Sequence, residues 1–180
     1  MYWLDEVKQN IKKRRQVLFS KDSEYLSDLA GLFAARPHRV MVLWALDFAA
    51  ESVAELEQAY PDELRVREAL EAARQWAAGE VKMRLAQRKI LDCHAVAKEL
   101  ADPADIAACH AVGQACAVVH TAGHALGYPM YDLTAIIRRL GVDNCREAVE
   151  RRKAGYIDRL FYWDAHAANY QGMWAEFLKD

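Results

Sequence analysis

The chain has 180 residues, 53% of them apolar and 28% charged, with a formal net charge of −2. That length and composition fit one globular domain with a sizeable core and exclude a disordered chain. The near-neutral balance gives no whole-molecule attraction to nucleic acid or to an anionic membrane.

Helical periodicity dominates, with no convincing alternating strand pattern. The first forty or so residues read as two short helices separated near Ser20 to Ser23. Pro37 precedes a helix expected from His38 to about Gln58, with Val40, Leu43, Trp44, Phe48 and Val53 at apolar positions. Tyr60-Pro61-Asp62 ends it, and Asp62 is placed to cap the next helix, through Leu64, Leu70 and Trp76. Beyond Gly79, a helix from Glu80 to Leu100 carries the stripe Met83, Ala86, Ile90, His94 (or Cys93), Ala97 and Leu100. Asp102-Pro103-Ala104-Asp105 is a strong helix start: an N-cap, a proline at the first helical position and an acid at the positive end of the dipole.

From Ile106 to Tyr131 there is no Asp, Glu, Lys or Arg, while His110, His120 and His124 stand among alanines and three glycines. This predicts a central, buried helix over about 104–126, crossed closely at Gly113, Ala117 and Gly123, with inward imidazoles and an end near Gly127 to Pro129. A membrane span of this length is rejected, because the histidines, Gln114 and the glycines are costly to insert and no Lys/Arg cluster sets a topology. Helices over Tyr131 to Leu140, from Asp143 or Asn144 to His166, and a short one in Ala167 to Leu178 complete the series. The expectation is a single all-α domain over 1–180: a compact array of about eight to nine helices with short connections.

His120 and His124, four residues apart, share a helix face and suit a bound metal such as zinc; His110 lies within about a quarter-turn, and His94 on the preceding helix would complete the set. Thr121 stands where a zincin would place its general-base glutamate. The competing reading is four imidazoles hydrogen-bonded inside a tight core. Cys93-His94 and Cys109-His110 are adjacent pairs, and neighbours on a helix point about 100° apart, so neither forms a nucleophile with its base. Those cysteines, with Cys116 and Cys145, read as buried reduced thiols of a cytoplasmic protein, since Met1 to Ile11 is amphipathic and unlike a secretory leader.

Asp47, Glu51 and Glu55 follow one another at i+4 and form an acidic ridge: a steering surface for a basic partner, or a solvated helix face. Lys8 and Lys12 to Arg15 lack interleaved aromatics and read as solvated helix rather than a nucleic-acid site. The aromatics Tyr156, Phe161, Tyr162, Trp163, Tyr170 and Trp174 are packing anchors or an interface. No phosphate loop, nucleophile elbow or paired-cysteine zinc signature is found, so no catalytic residue is assigned and no enzyme is expected.

The order Arg36-Pro37, Trp44-Ala45, Phe48, then Ala69, Ala72, Trp76, Gly79-Glu80, then His94-Ala95, Ala111, Gly113, His120, His124-Ala125 and Tyr131 resembles the putative immunity proteins of the Imm-5-like type. These are small, Ala-rich helical proteins of bacterial polymorphic-toxin systems. The resemblance covers about Arg36 to Ile137 and departs from the family at Asp62 to Arg67, where a more proline- and arginine-rich turn is expected. It implies a binding role without catalytic residues, and it groups His94, Gly113, His120, His124 and Tyr131 as a family core or shared pocket. The leading expectation is a cytoplasmic protein that neutralises a cognate protein toxin without a cofactor, using Asp47, Glu51, Glu55, Trp163 and Trp174 as its surface. The alternative is a metal-binding helical protein or metalloenzyme built on His94, His110, His120 and His124. A third reading is a scaffold whose homo-oligomer buries Trp163 and Trp174.

Overall fold

The computed structural model describes residues 2–179, and among them every regular element is helical. The helices are α1 (Trp3–Lys12), α2 (Ser27–Ala34), α3 (His38–Ala59), α4 (Arg65–Ala78), α5 (Met83–Val96), α6 (Pro103–Ala117), α7 (Gly127–Leu140) and α8 (Arg146–His166). Short 3₁₀ turns add Glu24–Leu26, Ala122–His124, Ala167–Asn169 and Glu176–Leu178. The all-α architecture is therefore the one its periodicity predicts, except that the final segment is two 3₁₀ turns in place of one short helix.

Two helices form the centre. Residues 40–46 of α3 are all buried, as a helix apolar on every side must be. Helix α6 packs against α3, α4, α5 and α7, while α3 also packs against α4 and α8. Around Trp44, which is fully buried, Phe33, Phe48, Tyr128 and Tyr156 gather at ring-centroid distances of 4.5, 5.1, 6.0 and 6.0 Å. At the amino-terminal end, Trp3, Phe19 and Tyr25 pack together, and the Leu18 N–H donates to Thr134 Oγ1 at 3.0 Å, tying that layer to α7.

The central helix is shorter than its uncharged run suggests. It starts where predicted, with Asp102 Oδ1 accepting from the Ala104 and Asp105 N–H groups, but it ends at Ala117. Val118, Val119 and His120 each donate to the carbonyl three residues back, the tightened pattern of a helix that is closing. The His38 ring meets the Val118 carbonyl at 2.6 Å, satisfying one of the acceptors that a helix end leaves open. Thr121 then adopts an extended backbone and caps the Ala122–His124 turn. Pro129, expected to stop the helix, instead sits in the first turn of α7, where a missing N–H costs nothing.

Entry into α4 also differs from expectation. The N-cap is Leu64, which makes no side-chain cap bond; the Glu63 carboxylate before it accepts from the Arg65 N–H at 3.0 Å and from its guanidinium, which in turn reaches Glu99. Asp62 makes no such bond, because α4 begins at Arg65.

Polar bonds link α3, α7 and α8 across the core. Arg152 of α8 donates from Nε to Asp132 Oδ2 at 2.7 Å, from Nη1 to Glu51 Oε2 at 2.6 Å and from Nη2 to the Tyr128 hydroxyl at 2.9 Å. Its guanidinium lies 4.8 Å from the Phe48 ring centroid, and the Tyr156 hydroxyl donates to the same Asp132 oxygen. Burial, then the Asp132 carboxylate, pushes the Tyr128 and Tyr156 phenols well above their ordinary range, so both stay neutral donors.

One close crossing follows from a glycine. A Cβ on Gly113 would stand 2.4 Å from the His94 ring, so that ring packs directly on the Gly113 backbone where α5 meets α6. Gly123 has no such role, since the nearest atom to its Cβ position would be Thr121 Oγ1 at 3.7 Å. Gly113→Ala should displace the His94 ring and cost about 1–3 kcal/mol in urea denaturation, the usual penalty of overpacking; an unchanged midpoint would show that the crossing has slack.

Candidate binding sites: a carboxy-terminal groove and a histidine cleft

The acidic ridge exists as a row but not as open charge. Asp47 accepts from Arg159 Nη1 and Trp163 Nε1, both at 2.7 Å; Glu51 is held by Arg152; and Glu55 meets Arg139 at 3.3 Å. Arginines of α7 and α8 thus lie against the face that was expected to meet a basic partner. Glu55, with an exposed carboxylate and a long ion pair, remains the most available of the three.

Asp47 and Trp163 nevertheless share a groove. A cleft of about 460 Å³ runs between α3, the end of α4 and the carboxy-terminal segment, with Leu43, Leu46, Asp47, Arg74, Trp163, Tyr170 and Met173 along it. Trp174 lies next to it under the Arg39 guanidinium, 5.4 Å from the ring centroid. The segment is pinned by the Ala175 N–H, which donates to the Ala77 carbonyl at 2.7 Å, and by Arg39, which donates to the Leu178 carbonyl. That close seat lies beside Gly79, the left-handed end of α4 (φ 81°), whose Cβ would meet Ala175 Cα at 3.2 Å. Trp163 and Trp174 are therefore half-buried packing residues with edges on one surface, while Met173 is 73% exposed. Glu51 and Glu55 lie farther along α3 and are not among the groove residues.

The histidines divide into two groups. His94 Nδ1 and His110 Nδ1 are 2.8 Å apart, and the Gln16 amide nitrogen stands 3.2 Å from His110 Nε2. An amide nitrogen only donates, so His110 Nε2 accepts; its proton is on Nδ1, given to His94 Nδ1, and the His94 proton is on Nε2. Tyr131 packs on the far side of His110, with ring centroids 5.1 Å apart. His120 and His124 lie beyond the end of α6, so they do not share a helix face. With His94 they line a second cleft of about 330 Å³, whose other walls include Trp76, Met83, Ile90 and Leu91. His120 is exposed, and the other three rings are only half-buried, which corrects the expectation of sealed imidazoles.

Among the described residues, no three His, Cys, Asp or Glu side chains come together in a way that could hold a metal ion. His94 and His110 spend their facing nitrogens on each other, and His94 shares only the walls of the cleft with His120 and His124. The thiols offer no nucleophile: all four cysteines are buried and free, burial pushes Cys109 and Cys116 up to about 12, and Cys93 goes well above its usual value. Among the described residues, no helix is long and apolar enough to cross a membrane.

Comparison with known proteins places this geometry. The family model described as Imm-5 like putative immunity protein matches residues 31–159. The chain belongs to that family. No curated protein and no solved structure matches it. The match is wider at both ends than the Arg36 to Ile137 stretch carrying the recognisable motifs, and it takes in the whole Arg152 network. It stops short of Trp163, Tyr170, Met173 and Trp174, so the immunity-family framework supplies one wall of the groove and the segment beyond it supplies the other. His94, Gly113, His120, His124 and Tyr131, grouped by the resemblance, lie around one crossing: three rings in the cleft, Gly113 beneath His94, and Tyr131 against His110. Arg152, Gln16 and His38 carry much of the polar geometry, yet in the sequence each is an ordinary polar residue with no distinguishing spacing.

The histidine pair makes stability depend on pH. Burial, then the neighbouring His110, lowers His94 from 6.5 to about 4, and burial, then Lys98, lowers His110. Depressed folded values favour the neutral rings, so their contribution is complete above the unfolded value near 6.5 and is lost as pH falls toward 4. At about 1.4 kcal/mol per pKa unit, His94 contributes at most roughly 3–4 kcal/mol. Thermal unfolding from pH 7 to 4 should therefore fall more steeply for the native protein than for His94→Gln; parallel curves would remove the ring from that role.

Proposed function

We propose that the protein is a cytoplasmic immunity protein that neutralises a cognate protein toxin by binding it directly, with no catalytic step of its own. Membership of the immunity family across residues 31–159 is the observation that carries this reading. The geometry supports it through the groove, where half-buried Trp163 and exposed Met173 offer apolar area with polar groups, Asp47 and Arg74, alongside. Trp174 extends the same surface, and Glu55 is the acid placed to influence capture of a basic partner. Asp47 and Glu51 have a second duty, since reversing either would set a cation against Arg159 or Arg152 and damage the fold.

The expected partner is a protein with a toxic carboxy-terminal module encoded beside this one. Co-expression should restore growth, and the purified proteins should form a complex with a Kd tighter than about 1 μM. Met173→Glu and Trp163→Ala should weaken it about tenfold or more, while Glu55→Lys should mainly slow association, by a few-fold. Absence of both rescue and complex for the native pair would defeat the proposal; a complex indifferent to Met173 and Trp163 would move the surface elsewhere. Sedimentation of the protein alone separates this from a homo-oligomer burying Trp163 and Trp174, which would leave that groove closed.

A further inference from the structure

The histidine cleft has features that neither the fold nor the groove uses. The relay from Gln16 through His110 leaves a proton on His94 Nε2, and that nitrogen has no acceptor among the described residues. His94 keeps the ring edge away from His110 for the cleft, held in place by its seat on Gly113. The nitrogens of His120 and His124 likewise have no protein partner among the described residues. One wall is the Trp76 indole, 5% exposed and nearly parallel to the His120 ring (22°, centroids 6.1 Å apart). Ile90 and Ala117 add apolar surface, and Met83 and Leu91, 46% and 62% exposed, stand on the α5 side.

Two cations stand near the rim on that side, with Asp92 one turn beyond the second. Arg84 and Arg88 are exposed and make no ion pair among the described residues. They precede Gln87 and Leu91 by three positions, which puts them beside those cleft residues on the surface of α5. By contrast, Lys89 is occupied by Glu68 at 2.8 Å. A fixed N–H donor, free imidazoles, a flat aromatic wall and two unpaired guanidinium groups together favour a ligand that is planar and apolar in its body and anionic at one end.

We propose that this cleft is a small-molecule site for an aromatic carboxylate. The ring lies against Met83 and Leu91 over a floor of Trp76 and Ile90, the carboxylate accepts from His94 Nε2–H, and Arg84 and Arg88 supply attraction at the mouth. A volume of about 330 Å³ admits a single-ring acid. The site goes beyond toxin binding and does not depend on it, since Asp47, Trp163 and Met173 line a different cavity.

The test is titration of the full-length, isotope-labelled protein with 3-phenylpropanoate at pH 7, followed through the His94 and His120 ring resonances and the Trp76 indole N–H. Saturable shifts in the millimolar range are expected, with binding at least about fivefold weaker for uncharged 3-phenylpropanamide and for the Arg84→Glu, Arg88→Glu double variant. Leu91→Glu, at an exposed rim position, should weaken the acid by a similar factor of about five without lowering the thermal midpoint, whereas Met173→Glu in the groove should leave it unchanged. The proposal is overturned by any of three results: no saturation up to about 20 mM, equal binding of acid and amide, or shifts centred on Trp163 and Met173.

Discussion

The fold depends on one half-buried cation, Arg152. Arg152 emerges from α8 into the angle between α3 and α7 and finds there two carboxylates, a phenol and two aromatic faces. Its polar partners come from two other helices, Glu51 from α3 and Asp132 and Tyr128 from α7, so the guanidinium is satisfied only when all three helices are in register. Removing Arg152 leaves Asp132, 11% exposed, without its counter-charge, and that costs more than breaking a surface ion pair. The aromatic cluster on Trp44 supplies the apolar half of the same junction, and the Trp44 N–H donates to the Tyr156 carbonyl at 2.9 Å.

Both cavities inherit their walls from this arrangement. Arg159 and Trp163 follow Arg152 by about two and three turns on α8, so fixing Arg152 carries them onto Asp47 and sets the groove. Helix α4 serves both sides: Arg74 and Ala78 belong to the groove and Trp76 to the histidine cleft, with the Gly79 turn seating the carboxy-terminal segment between them. Electrostatically the two differ. The groove contains Asp47, already answered by Arg159, whereas the α5 side of the cleft presents two guanidinium groups that make no ion pair among the described residues.

Much of the architecture was legible in the residues because helices advertise themselves locally. The Asp102-Pro103 start, the Pro37 boundary and the apolar positions of α3 are short-range signals, and the structure follows them. The family resemblance was legible too, in the Trp76 to Gly79-Glu80 element and the histidine positions. What failed was the length of α6. Absence of charge shows burial, not continuity, and the Val118-Val119-His120-Thr121 stretch, poor in strong helix formers, marks the break more faithfully than Pro129 does. The i+4 reading of His120 and His124 failed with it. The acidic ridge was placed correctly on α3, but its neutralisation by Arg139, Arg152 and Arg159 is a tertiary fact that helix periodicity cannot show.

The most direct test of this account is a double-mutant cycle between Arg152→Met and Asp132→Asn, followed by urea denaturation. If this half-buried cation is what the three helices share, each single change should cost about 2–3 kcal/mol and the double change clearly less than their sum, with a coupling of about 1 kcal/mol or more. Costs that add to within about 0.5 kcal/mol would contradict the account and shift the tie between α3, α7 and α8 to the aromatic cluster and the remaining hydrogen bonds.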